Sequence, residues 1–138
     1  AGWDPWTAWN QDRFDYDMAT KIEPNLGDGY VSLWDYPKAA SSLARLRGEV
    51  AERWELYLNG IELANCFTEL CDGDEQRRRF VAAKAERKLL GEADYPLDED
   101  FLNLVPLMKS ASGVALGVDR LVAALCDGKD IHDFMVGE

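Results

Sequence analysis

The chain has 138 residues, 47% of them hydrophobic, with five Trp and 15 basic against 26 acidic residues, a net charge of −11. That length suits one domain with a single core, and no run approaches the ~18–20 apolar residues of a membrane span. The acidic balance disfavours broad attachment to nucleic acid or an anionic membrane and leaves room for a local basic surface or a basic protein partner. The cysteines Cys66, Cys71 and Cys126 lack the close-pair spacing of a zinc or redox motif and read as free thiols of a reducing cytoplasm. The opening AGWDPWTAWNQD has neither the basic start nor the apolar core of a signal peptide, and reads as an internal boundary.

A helix is expected from Asp4 to about Thr20, with Asp4 as cap, Pro5 in the first turn and Trp6, Trp9 and Phe14 on one side. Trp3, Trp6 and Trp9 read as packing residues rather than a ligand cage. Residues 23–29, EPNLGDG, break the pattern as a loop. Tyr30 to Tyr36 has strand composition and stops at Pro37, and the KAASSLARL that follows fits either a helical turn or an irregular crossing.

Residues 53–70, RWELYLNGIELANCFTEL, carry the strongest local signal. Asn59-Gly60 tolerates the positive φ values of a type I′ turn and separates two apolar runs, predicting a hairpin with strands over 53–58 and 61–69. A two-residue loop pairs Leu58 with Ile61, Tyr57 with Glu62 and Glu55 with Ala64, so Glu55 and Glu62 share a face on a diagonal of roughly 7–8 Å. Two acids so placed are either solvated on a wet sheet face or used together on one cation; two carboxylates plus substrate phosphates are a typical magnesium arrangement. Asn65, Phe67 and Glu69 have the opposite parity. Either they face the other side, or a bulge near Ala64-Asn65 gathers all five groups over one pocket.

Asp72 predicts the cap of a helix over 73–90 closed by Gly91, with acids first and bases after, in the order the helix dipole favours. Its Arg77, Arg78, Arg79, Lys84, Arg87 and Lys88 form the only concentrated positive region, either a solvated face or a docking place for an acidic partner. A short helix is expected over Glu99 to Met108, bent or ended by Pro106. In residues 112–125, SGVALGVDRLVAAL, an apolar strand with Gly113 and Gly117 runs into an amphipathic helix at Asp119; Arg120, on its first turn, is suited to phosphate. His132, the sole histidine, lies near the C-terminus and reads as structural or exposed, with no Ser-His-Asp or Cys-His set to assemble around it.

Gly113-Val-Ala-Leu-Gly117-Val-Asp119-Arg120 before an apolar helix resembles motif 3 of class II aminoacyl-tRNA synthetases. The hairpin followed by DEQRRRF resembles the lysyl-tRNA synthetase branch. Within it, GIELAN, ELCDGDEQRRRF, SGVALGVDR, EPNLG and YPKAASSLA resemble the bacterial elongation factor P (R)-β-lysine ligase family, over nearly the whole chain. Nothing resembles motif 1, the dimer-forming segment, or motif 2 with its ATP-binding arginine, so residues 1–138 look like the C-terminal part of the catalytic domain.

The resemblance implies an α+β fold, an antiparallel sheet with helices on one side, in an ATP- and Mg2+-dependent cytoplasmic ligase. It implies that Glu55 and Glu62 hold magnesium and ATP, that Leu63 and Gly117 lie at the nucleotide, and that Arg120 grips its phosphates as the catalytic arginine. It implies that Asn65, Phe67, Glu69, Gly113 and Ala115 bind the amino acid, with Glu69 suited to an ammonium group and Ala115 standing where tRNA-charging relatives have glycine. Cys66 departs from the family's usual glycine; its thiol either alters substrate choice or packs behind the strand. The implied reaction activates β-lysine or lysine as an adenylate and passes it to a lysine of elongation factor P, in a homodimeric parent. The rivals are a lysyl-tRNA synthetase, against which Ala115 and the acidic balance argue, and a non-catalytic binding module.

Overall fold

The computed structural model describes residues 9–126 and 131–134. Its centre is the predicted hairpin. Strand β3, Val50–Leu58, turns through Asn59 (φ 50°) and Gly60 (φ 77°) into β4, Ile61–Thr68. The Asn59 side chain accepts from the Gly29 N–H (2.7 Å) and its own N–H donates to the Gly29 carbonyl (3.1 Å), tying the turn to the loop before the first strand.

Around the hairpin lies a five-stranded antiparallel sheet. β1 (Tyr30–Pro37) pairs with the outer side of β3, β5 (Ser112–Leu116) pairs with β4, and the short β2 (Leu46–Arg47) also pairs with β3. The Lys38–Ala40 stretch is a 3-10 turn.

Two register slips depart from a regular ladder. Leu58↔Ile61 and Tyr57↔Glu62 pair as the turn requires, but the next pair is Leu56↔Ala64, so Leu63 is an extra residue and Glu55 faces Asn65 rather than the expected Ala64. A regular two-residue hairpin cannot anticipate this, because the extra residue is accommodated by bonds outside the hairpin: the Gly117 N–H donates to the Leu63 carbonyl (2.8 Å). The second slip lies between Trp34 and Tyr36, around Asp35 at φ 57°. Trp34 stacks on Trp54 (5.1 Å) on one face, while Tyr36 pairs with Ala51 and turns to the face of Glu55.

Helix α1, Gln11–Asp17, is capped by Asn10, whose side chain accepts from the Arg13 N–H (2.7 Å), and continues as a wider turn over Met18–Ile22. The expected cap Asp4 lies outside the described residues, as do Pro5, Trp3 and Trp6. Trp9 packs on Phe14 (5.0 Å), and Trp9, Phe14 and Met18 cover the core of Tyr36, Ala40, Ala44 and Ala51. Helix α2, Gly73–Leu89, has Asp72 as its cap, accepting from the N–H groups of Asp74 and Glu75; Gly91 follows at φ 73°. Helix α3 is Glu99–Leu104, passing into a 3-10 turn over Val105–Leu107 at Pro106, which cannot donate to a longer helix. Helix α4, Val118–Leu125, follows β5 directly. His132 is exposed in a short turn, Ile131–Phe134. Among the described residues no helix is long and apolar enough to cross a membrane.

Replacing Asn59 by Ala places a Cβ-bearing residue without a capping amide at positive φ and leaves the Gly29 N–H without its acceptor. The expected loss is about 1–3 kcal/mol in urea unfolding, with Asn59→Gly milder because only the side-chain bond is lost.

Candidate active site

On β3, alternation puts Arg53, Glu55 and Tyr57 on one face. The slip at Leu63 brings Glu62 opposite Tyr57, Asn65 opposite Glu55 and Phe67 opposite Arg53. Across β4, Ala115 stands opposite Asn65 and Gly113 opposite Phe67. Acids, amide, aromatic ring and small residues therefore share one surface.

Glu55 is 6% exposed and bonded at both oxygens. One oxygen pairs with the Arg53 guanidinium; the other accepts from the hydroxyls of Tyr36 (2.5 Å) and Tyr57 (2.6 Å). Burial, and then the bond to Glu55, push both tyrosine pKa values far above their usual range, so both hydroxyls act as donors. Removing one partner of a buried pair of this kind costs about 3–5 kcal/mol.

Glu62 is the open carboxylate, with its side chain 38% exposed. Its pKa is raised, first by burial and next by the charge of Glu55, and Arg120 partly offsets both. Arg120 reaches back from α4: its Nη1 donates to the Glu62 carbonyl (3.1 Å) and lies 3.5 Å from the Glu62 carboxylate. Gly117, at the N-cap of α4, is close to this arm; a Cβ there would lie 3.3 Å from Arg120 Cδ.

Glu69 lies just past β4, with its carboxylate over Gly113, where an added Cβ would stand 2.2 Å from Oε1. Any side chain at Gly113 would displace that carboxylate. Leu63 is 2% exposed, so it meets its neighbours through the carbonyl bonded to Gly117 and not through an open side chain. Cys66 pairs with Trp54 and Val114, on the face away from Asn65, so its thiol packs behind the strand; burial raises its pKa.

A cavity of about 350 Å³ opens over this face, floored by Tyr36, Arg53, Glu55 and Glu62 and walled by Gln11, Phe14, Asp15, Met18 and Glu23. Glu23 Oε1 is 3.5 Å from the Tyr57 hydroxyl. Sequence reasoning missed Arg53, Tyr57, Tyr36 and Glu23. Arg53 and Tyr57 were readable from strand alternation around Glu55, whereas Tyr36 depends on the slip at Asp35 and Glu23 on the path of the loop.

Among the described residues no group of three His, Cys, Asp or Glu could enclose a metal ion. A partly exposed Glu62 beside Glu55, its charge only partly offset by Arg120, fits magnesium, which is commonly held by one or two carboxylates with phosphates and water supplying the other oxygens.

A five-stranded antiparallel sheet flanked by helices is consistent with part of a class II synthetase-like domain. The chain belongs to the class II tRNA synthetases (D, K and N), whose family model matches residues 11–136. It is 42% identical over 120 residues to the elongation factor P–(R)-β-lysine ligase of Pectobacterium atrosepticum, covering 81% of this chain and 36% of that protein. The protein of the same name from Histophilus somni is 37% identical over 134 residues, covering 91% and 42%. That from Proteus mirabilis is 42% identical over 117 residues, covering 81% and 36%. The chain thus spans about two fifths of the length of these relatives. The family generally uses ATP and Mg2+.

The raised pKa of Glu62 means that the folded state holds its proton more tightly than the unfolded state does. In metal-free protein, stability should therefore fall as pH rises through the window between the ordinary carboxyl value of 4.5 and the raised folded value. Urea midpoints measured across that window in wild type and Glu62→Gln should show the slope in the first and a flatter profile in the second.

Proposed function

We propose that this chain is the C-terminal part of the catalytic domain of an ATP-dependent ligase, one that activates β-lysine or lysine and passes it to a lysine of elongation factor P. The observation that carries the reading is the convergence of Glu55, Glu62 and Arg120 beside a face bearing Asn65, Phe67, Gly113 and Ala115. The names and extent of the relatives support it.

In this reading the carboxylate of the amino acid attacks the α-phosphorus of ATP, pyrophosphate leaves, and the acceptor lysine amine then attacks the acyl carbon and releases AMP. Magnesium held by Glu55 and Glu62 would neutralise triphosphate charge. Glu55 keeps acceptor capacity for this, since a carboxylate offers about four lone-pair sites. Glu62, which lies beside Arg120, would hold the cation with Glu55, and the planar fork of Arg120 would be left for the phosphate oxygens. Leu63 and Gly117 supply the backbone junction beside the nucleotide. Phe67 offers its ring to the substrate's aliphatic chain, Asn65 its amide to the reacting end, and Glu69 its carboxylate to an ammonium. Gly113 gives Glu69 room, and the methyl of Ala115 narrows the floor opposite Asn65. Positioning and charge neutralisation carry this chemistry, and no protein nucleophile is needed. Elongation factor P as acceptor, a homodimeric parent, a cytoplasmic location and the absence of tRNA charging belong to the same proposal.

Two measurements on the full-length protein test it. Pyrophosphate exchange should depend on β-lysine or lysine; exchange with α-lysine alone would remove β-lysine as the substrate, and exchange with neither, or acylation of tRNA, would overturn the assignment. Arg120→Ala should lower kcat/KM for exchange by about 10²–10³-fold, as expected for loss of a preorganised charge partner, and near-wild-type exchange would remove Arg120 from the mechanism.

A further inference from the structure

Arg53 touches more of the candidate site than any residue assigned to it. Its guanidinium pairs with Glu55 through Nη2, donates from Nη1 to the Ala40 carbonyl (3.0 Å) and from Nε to Asn65 Oδ1 (3.3 Å). It lies over the Tyr36 ring, 4.5 Å from the centroid, and 5.7 Å from the centroid of Phe67. Its side chain is 18% exposed. A single rigid fork thus joins β1, the turn after it, β3 and β4.

The bond to Asn65 has a chemical consequence. Guanidinium carries donors only, so Asn65 must turn its carbonyl oxygen toward Arg53, which leaves the two N–H groups of the amide for a ligand. Asn65 sits between Glu55 on one strand and Ala115 on the other, on the same sheet face as Arg53 and Glu55 and beside the cavity those two floor. We propose that Arg53 is a positioning residue that holds the Asn65 oxygen and so leaves the amide donors free over the shared sheet face, where they select a ligand presenting an acceptor, the carboxyl oxygen of the amino acid. This rests on the amino-acid-activating reading and assigns a role within it. A lysine at position 53 would keep the charge but lack the planar fork that bridges the Glu55, Ala40 and Asn65 oxygens at once.

The test uses full-length protein, with pyrophosphate exchange measured against β-lysine and ATP varied separately. Arg53→Lys should raise KM for the amino acid about tenfold or more, the size usual for loss of a residue that orients a ligating group; because Arg53 also holds Glu55, KM for ATP is compared in the Asn65 variant, where it should stay within about twofold of wild type. Asn65→Asp keeps an oxygen for Arg53 but has no donor for the ligand, and should show the same rise for the amino acid. The double variant should be no worse than the weaker single, because both changes remove one interaction. An unchanged amino-acid KM in either variant, an equal rise for ATP in Asn65→Asp, or additive effects in the double variant would overturn the inference. If Arg53→Lys loses its cooperative melting transition, Asn65→Asp decides alone. If wild type exchanges with neither β-lysine nor α-lysine, the functional reading fails, and the Asn65 side-chain amide resonances decide the role of Arg53: a shift in Arg53→Lys supports it and unmoved resonances overturn it.

Discussion

The extra residue at Leu63 is the constraint on which the rest of the site depends. Without it, Glu62 and Asn65 would project from opposite faces of β4, because successive strand residues alternate. With it, Glu62, Asn65 and Phe67 line up opposite Tyr57, Glu55 and Arg53. The same bulge frees the carbonyls that anchor the next part of the chain. Leu63 accepts from Gly117 and Glu62 from Arg120, so the junction of β5 and α4 is fastened where the register slips. A local backbone irregularity thereby couples the hairpin to the arginine-bearing helix some fifty residues further on.

Beneath that surface, the charged cluster around Glu55 is a structural element in its own right. Arg53, Tyr36 and Tyr57 satisfy its carboxylate, and the rings of Tyr36 and Phe67 flank the guanidinium. Burying such a pair is worthwhile only with good geometry and complete hydrogen bonding, and here each strand contributes to both. The outcome is an asymmetric pair of acids. Glu55 is held by the fold, while Glu62 stays partly exposed and shares its charge with Arg120. Phe14 of α1 packs on the edge of Tyr36 (6.3 Å), so the segment that walls the cavity also rests on the cluster.

The strongly basic helix α2 illustrates how composition alone misleads. Arg77 pairs with Glu99, Arg78 and Arg79 with Glu75, Lys84 with Asp94 and Arg87 with Glu92. Arg79 further donates to the carbonyls of Ser42 (2.7 Å) and Ala44 (2.9 Å), clamping the helix to the segment before β2. Most of these cations are paired within the chain: Arg77 joins α2 to α3, Arg79 joins it to the segment before β2, and Lys84 and Arg87 hold the loop that follows the helix.

What the sequence by itself determined was local. Asn59-Gly60 specified the turn, because few residue pairs tolerate its φ values; Asp72 and Gly91 bounded α2; and the apolar strand through Gly113 ending at an arginine-bearing helix marked β5 and α4. The candidate residues themselves were legible as residue types at fixed spacings, and Arg53 and Tyr57 were within reach of the same alternation. What only the tertiary structure decided was parity. Whether Asn65 faces Glu55, and whether Tyr36 joins it while Trp34 does not, turns on single-residue slips stabilised by Gly117, Arg120 and the neighbouring strands. A slip of one residue reverses every side chain beyond it, and the bonds that hold it come from parts of the chain too distant for any local pattern to announce.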